Sequence, residues 1–92
     1  MPLLAQNRPV CNGIVTPLIL AILNSWQDVI ELLIQNGANV NDTDGFKNTP
    51  LHYAVWLKNI EAVESLLKNG ADLSMKNHKN FTALDLAKKI SF

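Results

Sequence analysis

The chain has one cysteine, Cys11, among its 92 residues. No intrachain disulfide can form, so the fold does not depend on an oxidising compartment. With no second thiol at zinc-finger spacing and two histidines in all, a Cys/His metal site lacks its ligands. Neither charge is in excess: eight Lys and Arg balance eight Asp and Glu. A surface that tracks phosphates needs clustered surplus Lys and Arg, so nucleic acid is not expected as a partner, and a polybasic membrane patch is not expected either. Long hydrophobic runs are also missing. The longest, residues 18–23, falls far short of the ~20 apolar residues that cross a bilayer. "MPLLAQNRP" has no basic region ahead of its brief apolar stretch, so it does not read as a signal peptide. No Gly-rich phosphate loop, HExxH or EF-hand pattern is present. Cys11 has no base or cationic neighbour that would make it a nucleophile. The expectation is an intracellular, cytoplasmic, non-enzymatic domain with no cofactor, no metal, no nucleic-acid partner and no membrane partner.

The chain does contain an internal repeat. Thr16-Pro17-Leu18 returns as Thr49-Pro50-Leu51 and, altered, as Thr82-Ala83-Leu84, each step being 33 residues. Ala21, Ala54 and Ala87 keep that step. Asn36-Gly37-Ala38-Asn39-Val40-Asn41 returns as Asn69-Gly70-Ala71-Asp72-Leu73-Ser74. A fixed period of this length marks stacked supersecondary units. In each unit a Thr can cap the first helix through its hydroxyl, and Pro17 or Pro50 fits the first helical position, where an N–H is not needed. The spacing predicts first helices over 17–24 and 50–57, a turn at Ser25 or Lys58, and second helices over 27–35 and 60–68. The second helices carry apolar stripes Val29, Ile30, Leu33, Ile34 and Ala62, Val63, Leu66, Leu67, with Asp28, Glu31, Glu61 and Glu64 outward. Asn36-Gly37 and Asn69-Gly70 stop them, glycine being able to take the left-handed C′ conformation. Such pairs cannot bury their apolar faces alone and must stack.

With its 33-residue period, its Thr49-Pro50-Leu51-His52 and Ala54, and its Asn-Gly-Ala signatures at 36–41 and 69–73, the sequence resembles the ankyrin repeat family over residues 12–92. The resemblance implies an all-α repeat solenoid of stacked helix-turn-helix units with β-hairpin-like turns. It implies a single domain over 1–92: an N-terminal arm or partial cap at 1–11, repeats at 12–44 and 45–77, and a C-terminal half repeat at 78–92. It implies a structural His52, hydrogen-bonded between neighbouring repeats. There are departures. Ile19 and Asp85 stand at the His position. Ile14, Lys47 and Asn80 stand where a hairpin-tip glycine is usual, and Gly45 is expected to shift the second tip by two residues. Ser25-Trp26 and Lys58-Asn59 replace the usual Gly-His between helices.

The family works by protein binding, usually through hairpin tips and the concave face of the first helices. Carried onto this chain, the partner-contacting positions are Phe46, Lys47 and Asn48 at one tip, His78, Lys79 and Phe81 at the next, and Leu23, Asn24, Trp56 and Leu57 closing the first helices. This set is apolar and aromatic for surface positions, as binding hot spots are. Phe46 and Trp56 are expected side by side, although Trp56 has the alternative of packing under its own hairpin. Trp26 is expected to pack between units. The first unit's "PLILAIL" is apolar all round, and such a helix is normally buried all round. It is covered by residues 1–10 folding back through Leu3, Leu4 and Val10, by a second protomer in a homo-oligomer, or by further repeats.

Overall fold

The computed structural model describes residues 15–90. Among them are five helices and no strand: α1 (Pro17–Leu23), α2 (Gln27–Gln35), α3 (Pro50–Trp56), α4 (Ile60–Lys68) and α5 (Ala83–Lys89). The first helices α1, α3 and α5 pack in a row, and α2 and α4 form a second row behind α1 and α3.

Each helix start follows from one residue. Thr16, Thr49 and Thr82 Oγ1 accept the backbone N–H of Ile19, His52 and Asp85 at 3.1, 3.2 and 3.1 Å. In α4 Asn59 does the same for Ala62 at 3.1 Å. Helix α2 has no such cap, because Trp26 occupies that position. The ends share one device. In α2 and α4, Gly37 (φ 94°) and Gly70 (φ 93°) turn left-handed, and the N–H groups of Ala38 and Ala71 close back on Leu33 and Leu66 carbonyls at 3.0 Å. This is the Schellman arrangement, which satisfies carbonyls otherwise orphaned at a helix end. α1 and α3 end identically, with Trp26 and Asn59 N–H closing on Ala21 and Ala54, although the left-handed residues are Ser25 (φ 56°) and Lys58 (φ 58°). The turn keeps its geometry without the glycine and carries the strain of a side chain at positive φ.

The core runs through both rows. Leu18, Ile22, Ile30, Leu51, Val55, Ala62 and Leu66 are all buried, and each fully buried Leu or Ile is worth ~1.5–3 kcal/mol. The four outward acids of the second helices are exposed.

Two expectations need correcting. Trp26 does not pack between units: it is 51% exposed. It holds the N-cap position of α2, outside the helix proper, where its counterpart Asn59 uses a short polar side chain to cap, so the indole is directed away from the stack. Gly45 does not shift the hairpin tip. Lys47 itself turns left-handed (φ 66°), as Asn80 does in the next hairpin (φ 71°). The expected cap over residues 1–10 and the Ile14 tip lie outside the described residues.

Candidate protein-binding face

The hairpin of the second unit is organised by one carboxylate. Asp44 Oδ1 accepts the N–H groups of Phe46 (2.8 Å) and Asn48 (2.9 Å). Its Oδ2 accepts the Tyr53 hydroxyl and, at 3.4 Å, the Asn48 amide. Asp44 N–H donates in turn to the Asn48 carbonyl at 3.0 Å, closing the loop. Burial alone would raise the Asp44 carboxyl, but the hydrogen bonds from Tyr53, Asn48 and Phe46 outweigh it and hold the carboxyl below its ordinary value. Burial, and then the hydrogen bond and negative charge of Asp44, push the Tyr53 phenol up to about 12. The third unit repeats the hairpin with an amide in the carboxylate's place: Asn77 Oδ1 accepts from Lys79 (3.0 Å) and Phe81 (3.1 Å).

The two hairpins are tied together. Asn77 Nδ2 donates to Asn48 Oδ1 at 2.9 Å, both residues being buried. The His78 N–H donates to the Phe46 carbonyl at 2.9 Å, and the Phe46 and His78 rings lie 5.3 Å apart at 47°. His52 makes a third tie. Its Nδ1 accepts the Thr49 N–H at 2.9 Å, which leaves Nε2 to donate to the Phe81 carbonyl of the next unit at 2.8 Å.

Three consequences follow for the expected surface residues. Asn48 is 8% exposed and fully engaged in these bonds, so it offers a partner nothing and belongs to the scaffold. Phe81 is half-buried against the core, with Lys89 Nζ 5.4 Å above its ring centroid. Phe46, Lys47, His78 and Lys79 are exposed on a tip made rigid by the bonds beneath it.

Trp56 is also exposed, by 58%, as are Leu57 (45%) and Leu23 (41%). These three line one shallow hollow together with Tyr53. Asn24 adjoins it, its amide donating to the Leu20 carbonyl at 2.9 Å. Trp56 therefore does not pack under its own hairpin. Nor does Phe46 stand beside it: the ring partner of Phe46 is His78, and the hollow around Trp56 is made by helix ends. The expected single patch is two, an aromatic tip and an apolar hollow. Tyr53 was absent from the sequence-based set. Its position three residues before Trp56, on the same helical face, was the available signal.

A family model of three ankyrin repeat copies matches residues 3–77. The chain belongs to the ankyrin repeat family. Among its relatives, neurogenic locus notch homolog protein 1 of Xenopus laevis is 43% identical over 72 residues, 78% of this chain and 3% of that protein. Alpha-latrotoxin-Lg1a of Latrodectus geometricus is 36% identical over 76 residues, 79% of this chain and 6% of that protein. Among solved structures, the ankyrin repeat domain of Bcl-3 superposes with a TM-score of 0.76 at 38% identity, covering 77% of this chain and 31% of that one. The chain thus spans a small part of the length of these relatives. Ankyrin repeat domains are protein–protein interaction modules, and the fold here is theirs. No helix among the described residues is long and apolar enough to cross a membrane.

Proposed function

We propose that this chain docks a partner protein on the face that carries the hollow of Leu23, Trp56 and Leu57, with Phe46, Lys47, His78 and Lys79 contacting it at the hairpin tips. The observation that carries this reading is the exposure of Trp56 next to two exposed leucines on a rigid scaffold. A large aromatic held in water beside other apolar groups is the composition of an interface centre, with Asn24 and the lysines as polar rim. The binding is rigid-surface docking, since the tips are pre-ordered by Asp44, Asn77 and their bonds and little ordering entropy opposes association.

The test compares proteins retained from a cell extract by the wild-type chain, Trp56→Ala, and a Leu32→Ala control on the α2 surface. Truncating a hot-spot Trp should weaken retention by ~2 kcal/mol or more, with an unchanged melting temperature because the side chain is already exposed. Equal retention by all three chains refutes the reading.

A second reading has its own observation. Leu20 (49%), Trp26 (51%) and Leu32 (57%) are exposed in the first unit, an apolar surface suited to self-association of a chain with no net charge. Sedimentation of the purified protein at tens of micromolar separates the two, a monomer removing the second.

A further inference from the structure

The chain's zero net charge is an average over two unlike rows of helices. Asp28, Glu31, Glu61 and Glu64 stand exposed on the second helices, α2 and α4. Asp42 and Asp72 lie in the loops that leave those helices and accept N–H groups of their own loops, from Thr43 at 3.1 Å and Ser74 at 2.8 Å. Asp44 is buried and engaged with its own hairpin. Helices α1 and α3 carry no acid, which leaves Asp85 of α5 as the one acid on the first-helix row among the described residues. Asp85 accepts the Thr82 N–H at 3.0 Å, and the lysines whose charge reaches it are Lys88 and Lys76.

The cations beside the Trp56 hollow are placed by the repeat. Leu23, Trp56 and Lys89 are the last residues of α1, α3 and α5, and those helices pack in a row. Packed helix axes lie ~8–10 Å apart, so Lys89 ends the helix one unit along from the hollow. Its Nζ is 5.4 Å from the Phe81 ring centroid, which directs it to the side of the third hairpin. Phe46 and Lys79 are a second pair at the same place in successive repeats. Their hairpins are joined by the His78 N–H, which donates to the Phe46 carbonyl at 2.9 Å. Lys47 follows Phe46 on its tip, and all three lysines are exposed. Along both columns an apolar side chain in the second unit gives way to a lysine in the third.

We propose that the partner segment on this face is acidic: one large apolar side chain covers the Trp56 hollow, and Asp or Glu residues about 10 Å further along meet Lys79 and Lys89. The inference rests on the docking face proposed above and names the chemistry that face takes. An extended chain rises ~3.3 Å per residue, which sets the acids about three residues from the anchor. Exposed charges act over about a Debye length, ~8 Å at physiological salt. Within that reach the lysines steer an acidic segment onto the face and disfavour a basic one. A protein segment fits better than a nucleic acid. Lys47, Lys79 and Lys89 are too few to track a phosphate backbone, and the hollow of Leu23, Tyr53, Trp56 and Leu57 calls for an apolar side chain.

The test selects peptides from a random library displayed on phage, using the full 92-residue chain as bait. Retained sequences should be enriched in Asp and Glu, with a Leu, Phe or Trp about three residues away. One of them, synthesised with a fluorophore, should bind saturably. Its affinity should fall at least ~10-fold with Lys79→Glu combined with Lys89→Gln, and with Trp56→Ala. These side chains are exposed, so the variants should keep the wild-type fold, which circular dichroism checks. Without any variant, raising NaCl from about 50 to about 500 mM should weaken wild-type binding several-fold. An empty selection, or binding indifferent to both lysines and salt, overturns the acidic partner. Peptides that need Trp56 but carry no excess of acid overturn it too, while the docking face stands. Acid-rich peptides indifferent to Trp56→Ala overturn the docking face itself. Displacement of the peptide by random-sequence RNA at equal concentration would make a phosphate chain the occupant and refute the proposal. A dimer in sedimentation that the double lysine variant dissociates would do the same in favour of a second copy.

Discussion

Tyr53 shows how one side chain serves two faces of the molecule. Its ring lines the hollow beside Trp56 while its hydroxyl bonds the Asp44 carboxylate that shapes the hairpin. It is the chain's one tyrosine, so its titration can be read directly. The phenol's pKa is raised, which means the folded state holds this proton more tightly than the unfolded chain does. The associated stability is present below pH 10 and is lost as pH rises towards about 12. Phenolate absorbance should therefore appear near pH 12 in the folded protein, and the alkaline loss of stability across that window should vanish in Tyr53→Phe. For Asp44 the sign is reversed. Its carboxyl is lowered, so its contribution is present above the ordinary value of 3.8 and lost as pH falls through the lowered one. Asp44→Ala should destabilise the fold by ~1.5–3 kcal/mol, the usual worth of hydrogen bonds to a charged group, as measured by urea unfolding at neutral pH. At this scale the sequence was a partial guide. Residue type marked Asn48 as a tip residue like its neighbours. Its burial arises from Asn77, 29 positions away, and no local pattern announces that pair.

Among the elements, agreement was close for a physical reason. Helix starts and stops are set by groups within a few residues of each end, a Thr or Asn cap and a left-handed C′ residue, and these are local signals. The four helices with expected spans, α1 to α4, all begin and end within a residue of them. Trp26 and Gly45 failed where the local signal was ambiguous. A Trp at an N-cap has no capping chemistry to offer, and a glycine beside a tip need not be the residue that turns. The left-handed Ser25 and Lys58 lead to a stability prediction. A non-glycine residue in this conformation costs about 1–2 kcal/mol, against the ~0.5–1 kcal/mol of unfolded-state entropy that glycine adds. Lys58→Gly should raise stability by roughly 0.5–1 kcal/mol, seen as a higher melting temperature, with no change in partner binding expected from the turn alone. Thr49→Ala, removing the cap of α3, should lower stability by about 1 kcal/mol.

For the whole molecule, stability is a sum over units and the contacts between them. His52 is the most direct tie between the second and third units, buried and bonded to Phe81 of the next hairpin. His52→Ala should cost ~1–3 kcal/mol by leaving the Thr49 N–H and the Phe81 carbonyl without this partner. Amide exchange should show the loss unevenly, with α5 losing protection before α3, because α5 is held by neighbours on fewer sides. Equal loss of protection in both helices would mean that the units unfold together.

The sequence by itself determined the period, the helices, the caps and the family, because each rests on signals that recur every 33 residues or act within one turn. Tertiary structure alone decided which apolar residues meet water. Leu51 and Leu84 occupy the same place in the repeat, yet one is 1% exposed and the other 56%. The difference is made by α4, which packs against α3 and has no counterpart against α5 among the described residues. Burial depends on neighbours, and a repeat pattern assigns the same residue to both positions while only the stack gives one of them a cover.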